Sequence, residues 1–284
     1  MKVLVLGASG YIGSAVTARL IADGHEVIAL VRTGTEAPAG LEARFGDLAD
    51  PDSLRAAVTP DLGAVLNLAT PTGDEATDVA AMAALLGELR GTGRAFVYTS
   101  GIWVLGATGD APATEDSPAS AIPIVGYRPR IEQQVLAAAA EDVRAVVIRP
   151  AIAYGKGGGI PGMMTGWARE NGTGRYVGDA GTRWPMVHVD DLAALFSLAV
   201  EKAAPGSLYH GSAHDAVSTA GLAAVADIAA GGAGRAEQWP YDSAALALGA
   251  AFAEALALSQ TVPGSRAQSE LGWQPVQPHP LSGL

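Results

Sequence analysis

Residues 2 to 22 hold the pattern that most narrows what this chain can fold into. Lys2 to Leu6 is a short apolar run, Gly7-Ala8-Ser9-Gly10-Tyr11-Ile12-Gly13 follows, and Ile12, Ala15, Val16 and Leu20 then recur at helical spacing. Strand, glycine turn and helix in that order is the context a dinucleotide fingerprint requires. Gly7 permits the tight turn, Gly10 lets the backbone approach a pyrophosphate, and Gly13 lets the helix pack closely. The phosphates would meet the helix N-terminus, where unpaired N–H groups and the helix dipole favour anions. The glycines are spaced three and three, not two and three as in the common fingerprint. An ordinary strand-to-helix turn can carry the same triplet, but its place at the front of the chain, ahead of a second strand, favours the cofactor reading.

That second strand, Glu26 to Val31, ends in Arg32-Thr33. An acidic residue here would hold a ribose 2′-OH, whereas an Arg accommodates a 2′-phosphate through charge-assisted hydrogen bonds. Arg32 therefore argues for NADPH over NADH, with a solvated strand-end Arg as the plain alternative. Asp47-Leu48, after a third short strand, falls where an adenine-facing turn is expected. Asp47 is equally suited to capping a helix that begins near Pro51.

Strand and helix signals alternate onward. Val65 to Leu68, Ala95 to Thr99 and Ala145 to Ile148 read as buried strands, while Asp74 to Leu89, Ile131 to Ala140 and Asp190 to Val200 carry helical apolar spacing. This predicts an α/β fold, a doubly wound parallel sheet of Rossmann type, with a smaller C-terminal substrate-binding region. Residues 1–153, rejoined by 187–210, are expected to form the dinucleotide-binding domain, and 154–186 with 211–284 the substrate-binding region. Gly106 to Pro123 and Gly155 to Pro161 read as long loops, the latter as a mobile loop over the nicotinamide with glycine hinges. After about residue 210 a helix near Thr219 to Ala230, a strand near Arg235 to Gln238 and an alanine-rich helix from Tyr241 are expected.

The 284 residues carry a net charge of −11 with no cluster of Lys or Arg, so nucleic acid is an unsuitable partner and small molecules are favoured. There is no cysteine, which removes disulfides, thiolate metal sites and thiol nucleophiles. Met1-Lys2 leads straight into the first strand, and no charge-free apolar stretch reaches membrane-spanning length, so a cytoplasmic enzyme is expected. The oligomeric state stays open.

The glycine turn, Asn67-Leu68-Ala69, Tyr98-Thr99-Ser100-Gly101, Arg149-Pro150 with Tyr154-Gly155, His188-Val189-Asp190-Asp191-Leu192 and Leu271-Gly272-Trp273-Gln274-Pro275 together resemble the extended short-chain dehydrogenase/reductases across nearly the whole chain. The resemblance implies that the glycine turn and the residues matching Ala69, Thr99 and Pro150 line the cofactor. Ser9, Tyr11, Ile12, Leu68, Thr70 and Ile152 are expected beside them. It also implies a catalytic trio of Ser or Thr, Tyr, and a Lys four residues after the Tyr.

The chain departs from that trio. Tyr127 is followed four residues later by Ile131, and the register that matches Glu132 puts Arg128 at the Lys position and Ile124 at the Tyr position. Gly101 falls at the usual Ser position, with Ser100 its neighbour. The chain thus resembles the atypical members, some of which are polyketide ketoreductases. Ile124 can donate no proton, and Arg128, suited to the nicotinamide ribose, stays charged and makes a poor acid. Thr99, Ser100 and Tyr127 are the candidate catalytic groups, unless an aromatic ketone substrate supplies its own proton from an adjacent phenol.

Ser100, Trp103, Ile124, Tyr127, Met163, Met164, Trp167 and Trp184 are the candidate contacts for a broad apolar substrate, although large apolar side chains are commonly plain core. His188 with Asp190-Asp191 reads as a helix start, and His210 with His214 lacks the constellation of a metal site. The expected function is an NADPH-dependent ketoreductase. A nucleotide-sugar epimerase or dehydratase and a non-catalytic NADPH-binding protein are the alternatives.

Overall fold

The structure is a computed structural model that describes residues 1–283. In chain order come β1 (Lys2–Leu6), α1 (Tyr11–Ala22), β2 (Glu26–Val31), β3 (Glu42–Phe45), α2 (Pro51–Ala57), β4 (Leu62–Asn67), α3 (Glu75–Gly87) and β5 (Ala95–Thr99). Two short 3-10 turns, Ile102–Leu105 and Pro123–Val125, lead to α4 (Arg128–Ala137), β6 (Arg144–Pro150), β7 (Ile152–Tyr154), α5 (Gly159–Asn171), β8 (Gly174–Val177), β9 (Arg183–His188) and α6 (Val189–Lys202). The remainder is β10 (Ser207–Gly211), β11 (His214–Ser218), α7 (Thr219–Ala229), β12 (Ala236–Trp239), α8 (Tyr241–Leu248), α9 (Ala250–Ala257) and α10 (Ser265–Leu271).

Seven strands form one parallel sheet in the order β10-β6-β5-β4-β1-β2-β3. Successive residues of β1 point to opposite faces, and both sets are buried: Val3 and Val5 pack with Val16, Leu20 and Phe196, while Leu4 and Leu6 pack with Leu54, Leu85 and Val135. Only a sheet covered on both sides accepts such unbroken apolar strands. The order reverses between β1 and β4, which opens a crevice beyond their C-terminal ends, the usual ligand position in a doubly wound sheet.

A smaller sheet, β11-β9-β7, whose β7 follows β6 directly in the chain, and a pair, β12-β8, complete the strands. The long stretch from Gly106 to Pro123 is stitched down rather than loose. Its Thr108 and Gly109 amides donate to the Ser259 carbonyl, Ala113 donates to Thr261, and the Gln260 side chain donates to the Ile102 and Gly106 carbonyls. Beneath it, Arg149 on β6 and Glu132 on α4 form a buried two-pronged ion pair at 2.9 and 2.6 Å. Breaking such a pair costs about 3–5 kcal/mol, because the surviving charge is left without water or partner.

Three boundaries differ from the sequence reading. β4 starts at Leu62, ahead of the apolar run, because Lys2 pairs with Leu62 across a register shift. The alanine-rich run breaks at Gly249, whose φ of +89° ends α8 and starts α9. The supposed loop to Pro161 is shorter than expected: α5 begins at Gly159, and Pro161 sits in its first turn, where a missing N–H costs nothing. Among the described residues no helix is long and apolar enough to cross a membrane.

Candidate active site

At the β1 end of the crevice the glycines do three different jobs. Gly7 turns with φ +79°, and a β-carbon there would lie 2.6 Å from the Leu68 backbone. Gly13 brings α1 against the turn, since its β-carbon would lie 1.9 Å from the Gly7 carbonyl oxygen. Gly10 is the residue before the first turn of α1 and offers no side-chain cap, and that turn holds no acid. Side chains of Asp50, Asp74, His188 and Ser218 cap α2, α3, α6 and α7, whereas α1, like α4, α5, α8, α9 and α10, has no such cap. The amides that begin α1 are thus left for an anion, the arrangement a pyrophosphate needs.

Those amides open onto a cavity of about 460 Å³ that holds Gly7, Ser9, Gly10, Arg32, Asp47, Leu48, Leu68, Ala69 and Thr70 on its wall. Asp50, not Asp47, caps α2, accepting from the Asp52 and Ser53 amides. Asp47 instead folds into a local turn that accepts from the Ala49 amide at 2.9 Å. Arg32 borders a polar side chamber with Thr33, Thr35 and Ser53, and its guanidinium has no hydrogen-bond or ion-pair partner among the described residues. The residues present therefore fit a phosphorylated dinucleotide laid across β1 and β4, with a free cation at the β2 end.

The crevice continues into a second cavity of about 650 Å³ with Tyr11, Ile12, Ser100, Trp103, Ile124, Tyr127, Arg128, Pro150 and Ile152 on its wall. Ile124 stands on the 3-10 turn Pro123–Val125 and is half exposed to this space. Phe252 of α9 meets Trp103 edge to face at 6.4 Å, which ties the C-terminal helices to the cavity rim. Two phenols border the cavity, and both are committed elsewhere. Tyr11 donates to the Gly155 carbonyl at 2.8 Å, and burial, with Asp190 second, pushes its pKa up. Tyr127 donates to Asp78 at 2.6 Å, and Asp78 also accepts from the Thr72 amide and hydroxyl. Burial first, then that carboxylate, push the Tyr127 pKa up to about 12. An acid tuned for catalysis near neutrality needs the opposite shift.

The other candidates scatter. Thr99 ends β5 with a buried hydroxyl that lacks a partner, but it is not on the wall of the second cavity. Met164 and Trp184 are buried core, the Trp184 indole donating to the Leu256 carbonyl at 3.2 Å. Trp167 packs edge to face on Trp239 at 5.4 Å, and Met163 is exposed. These four stand away from the wall. His188 accepts from the Asp190 amide as the cap of α6, and Asp191 accepts from the amides of Val276 and Gln277 while its carbonyl takes the Trp273 indole proton. Gly155 and Gly158 lie against His188 and Tyr11, leaving no space even for a methyl group, so the segment is packed, not free to swing. Asp78, Phe252 and Pro123 are site residues that sequence reasoning missed. Asp78 lies 49 positions from Tyr127, and nothing local signals their pairing.

Residues 3–210 match the model of the NAD dependent epimerase/dehydratase family. The chain belongs to that family. An uncharacterised protein of Schizosaccharomyces pombe is 35% identical over 229 residues, 76% of each chain. The 2-alkyl-3-oxoalkanoate reductase of Stenotrophomonas maltophilia is 30% identical over 235 residues, 75% of this chain and 69% of that one. The crystal structure of human epimerase family protein SDR39U1 with NADPH superposes with a TM-score of 0.79 at 24% identity, over 98% of this chain and 96% of that one, which speaks to the fold. Family and fold together place the chain among the extended short-chain dehydrogenase/reductases, as a nicotinamide-dinucleotide-binding protein.

Proposed function

We propose that this family member is a cytoplasmic, NADPH-dependent ketoreductase that converts a ketone of an aromatic, angucyclinone-like polyketide to a secondary alcohol, with the proton drawn from the substrate's own hydroxyl. The reading resembles the angucyclinone 7-ketoreductase of simocyclinone biosynthesis. The observation that carries it is that the phenols of Tyr11 and Tyr127 donate away from the cavity while an isoleucine holds the remaining position. Arg32, unpaired at the end of β2, supports NADPH, as does the cofactor of the human structure. The name of the Stenotrophomonas relative, a reductase of a 3-oxo compound, supports ketone reduction.

In this reading residues 1–153 with 187–210 hold the cofactor, and 154–186 with 211–284 close over the substrate. When bound, the dinucleotide supplies a hydride to the carbonyl carbon. The chain's own task is to hold the ketone flat between Trp103 and Ile124, exclude water, and leave the oxygen beside a hydroxyl that the substrate carries, so that proton transfer needs no enzyme acid. The family match favours a second reading, epimerase or dehydratase chemistry on a nucleotide sugar, but that chemistry also moves a proton.

NADPH absorbance decides. It falls on adding hydroxylated polycyclic ketones if the proposal holds, sugar nucleotides change without net NADPH use under the second reading, and a binding protein turns over neither. Replacing Thr99 with Val, Ser100 with Ala and Tyr127 with Phe in turn should each slow ketone reduction less than about 10-fold. A loss of about 10²- to 10⁴-fold in any one, the size of a missing general acid, overturns the substrate-assisted step.

A further inference from the structure

The wall of the second cavity is mostly apolar, and among the described residues Arg128 is its one charged side chain. Arg128 begins α4 half-buried, and its guanidinium makes no hydrogen bond or ion pair among the described residues. Glu132, one turn further along α4, is occupied by Arg149. Asp78, beside Tyr127, is occupied by Tyr127 and Thr72. The guanidinium lies 3.8 Å from where a β-carbon on Gly101 would sit, so it faces a stretch of wall that has no side chain of its own. Next to it, Ser100 is 5% exposed and its hydroxyl has no partner.

A cation facing an apolar chamber without a counter-ion is costly, and so is a buried hydroxyl without a bond. One ligand oxygen group answers both. The net charge of −11 makes the molecule repel anions at large, so an anion enters this chamber only where a local cation outweighs that field. We infer that the cavity takes a flat apolar ligand bearing one carboxylate, separate from the neutral hydroxyl that gives up its proton, and that Arg128, with Ser100 beside it, holds that carboxylate. The guanidinium has five N–H donors, so contact with a ribose hydroxyl leaves an edge for the ligand. The inference rests on the second cavity being the substrate chamber of the ketoreductase reading, and it restricts that reading to acidic ketones.

Binding of 2-naphthoate and of its neutral isostere 2-naphthamide, measured by calorimetry on the full chain with excess NADP⁺, tests it without turnover. The carboxylate should bind about 10- to 100-fold tighter, as expected for a charge-assisted pair. The preference should fall below about 3-fold in Arg128→Gln, persist in Arg128→Lys, and be unchanged in Arg130→Gln, whose exposed cation pairs with Glu75 outside the cavity. Equal affinity for the two probes, binding of neither, or a preference that survives Arg128→Gln overturns the inference. A preference with no NADPH consumption on any ketone leaves it standing and sinks the ketoreductase reading instead.

Discussion

The two ends of the crevice obey different rules. At the β1 end the backbone does the binding: Gly7, Gly10 and Gly13 remove side chains so that amides and carbonyls come close, and a β-carbon at Gly7 or Gly13 would meet backbone at under 3.0 Å. At the β5 and β6 end the side chains decide, and there an isoleucine, an arginine and two preoccupied phenols stand where a proton donor is usual. A backbone site tolerates little change, whereas a side-chain site can lose its acid and keep its shape. The same fold thus retains its cofactor grip while its chemistry is free to vary.

The largest expected effect tests that separation directly. Ile124→Tyr combined with Arg128→Lys restores the tyrosine and lysine, and on ketones with no neighbouring hydroxyl it should raise turnover by about 10²- to 10⁴-fold. Dinucleotide affinity, read by fluorescence titration, should stay within about 3-fold if the two ends are independent. A coupled fall in affinity breaks the comparison.

Next in size is the cation at the far end. Arg32→Gln should weaken NADPH binding by about 10- to 100-fold and leave NADH binding unchanged, since only a 2′-phosphate makes the charge-assisted bond. Equal losses for both cofactors would mean that Arg32 shapes the pocket rather than reading the phosphate.

The smallest effect concerns Tyr127 as scaffold. Its pKa in the folded protein is raised to about 12 from 10.0, so the contribution of its neutral phenol to stability is complete below pH 10 and is lost as pH rises to about 12. Tyr127→Phe should cost about 1 kcal/mol at pH 8 by urea unfolding, and the gap to the parent should close between pH 10 and 12. A gap that widens with pH would place the ionised phenol in the folded state and return Tyr127 to candidacy as an acid.

Much of this is written in the sequence itself. β1, β2 and β5 are unbroken apolar runs fixed by burial on both faces, and the turn needs glycines for local steric reasons, so each signal sits within a few residues. Ile124 and Arg128 were legible as departures because spacing along one helix defines them. β7, β9 and β11 were not, because their pairing with one another carries no local signature. Hydrophobic size also misled: Trp184 and Met164 serve the core, and Trp167 serves Trp239, because a large apolar side chain is equally at home in a wall or behind it. The Asp78 carboxylate that occupies Tyr127 is a meeting of α3 with the start of α4, which only tertiary packing brings about.

Asp191 fastens residues 273–277 to the first turn of α6 by three bonds, two to its carboxylate and one to its carbonyl. A proteolytic nick or an inserted tag between Trp273 and Gln277 would therefore do more than trim a strand of surface chain. It would strip a buried anion of its donors at the foot of α6, the helix that lies against α1 and β5, and so loosen the packing behind the cofactor-side helix.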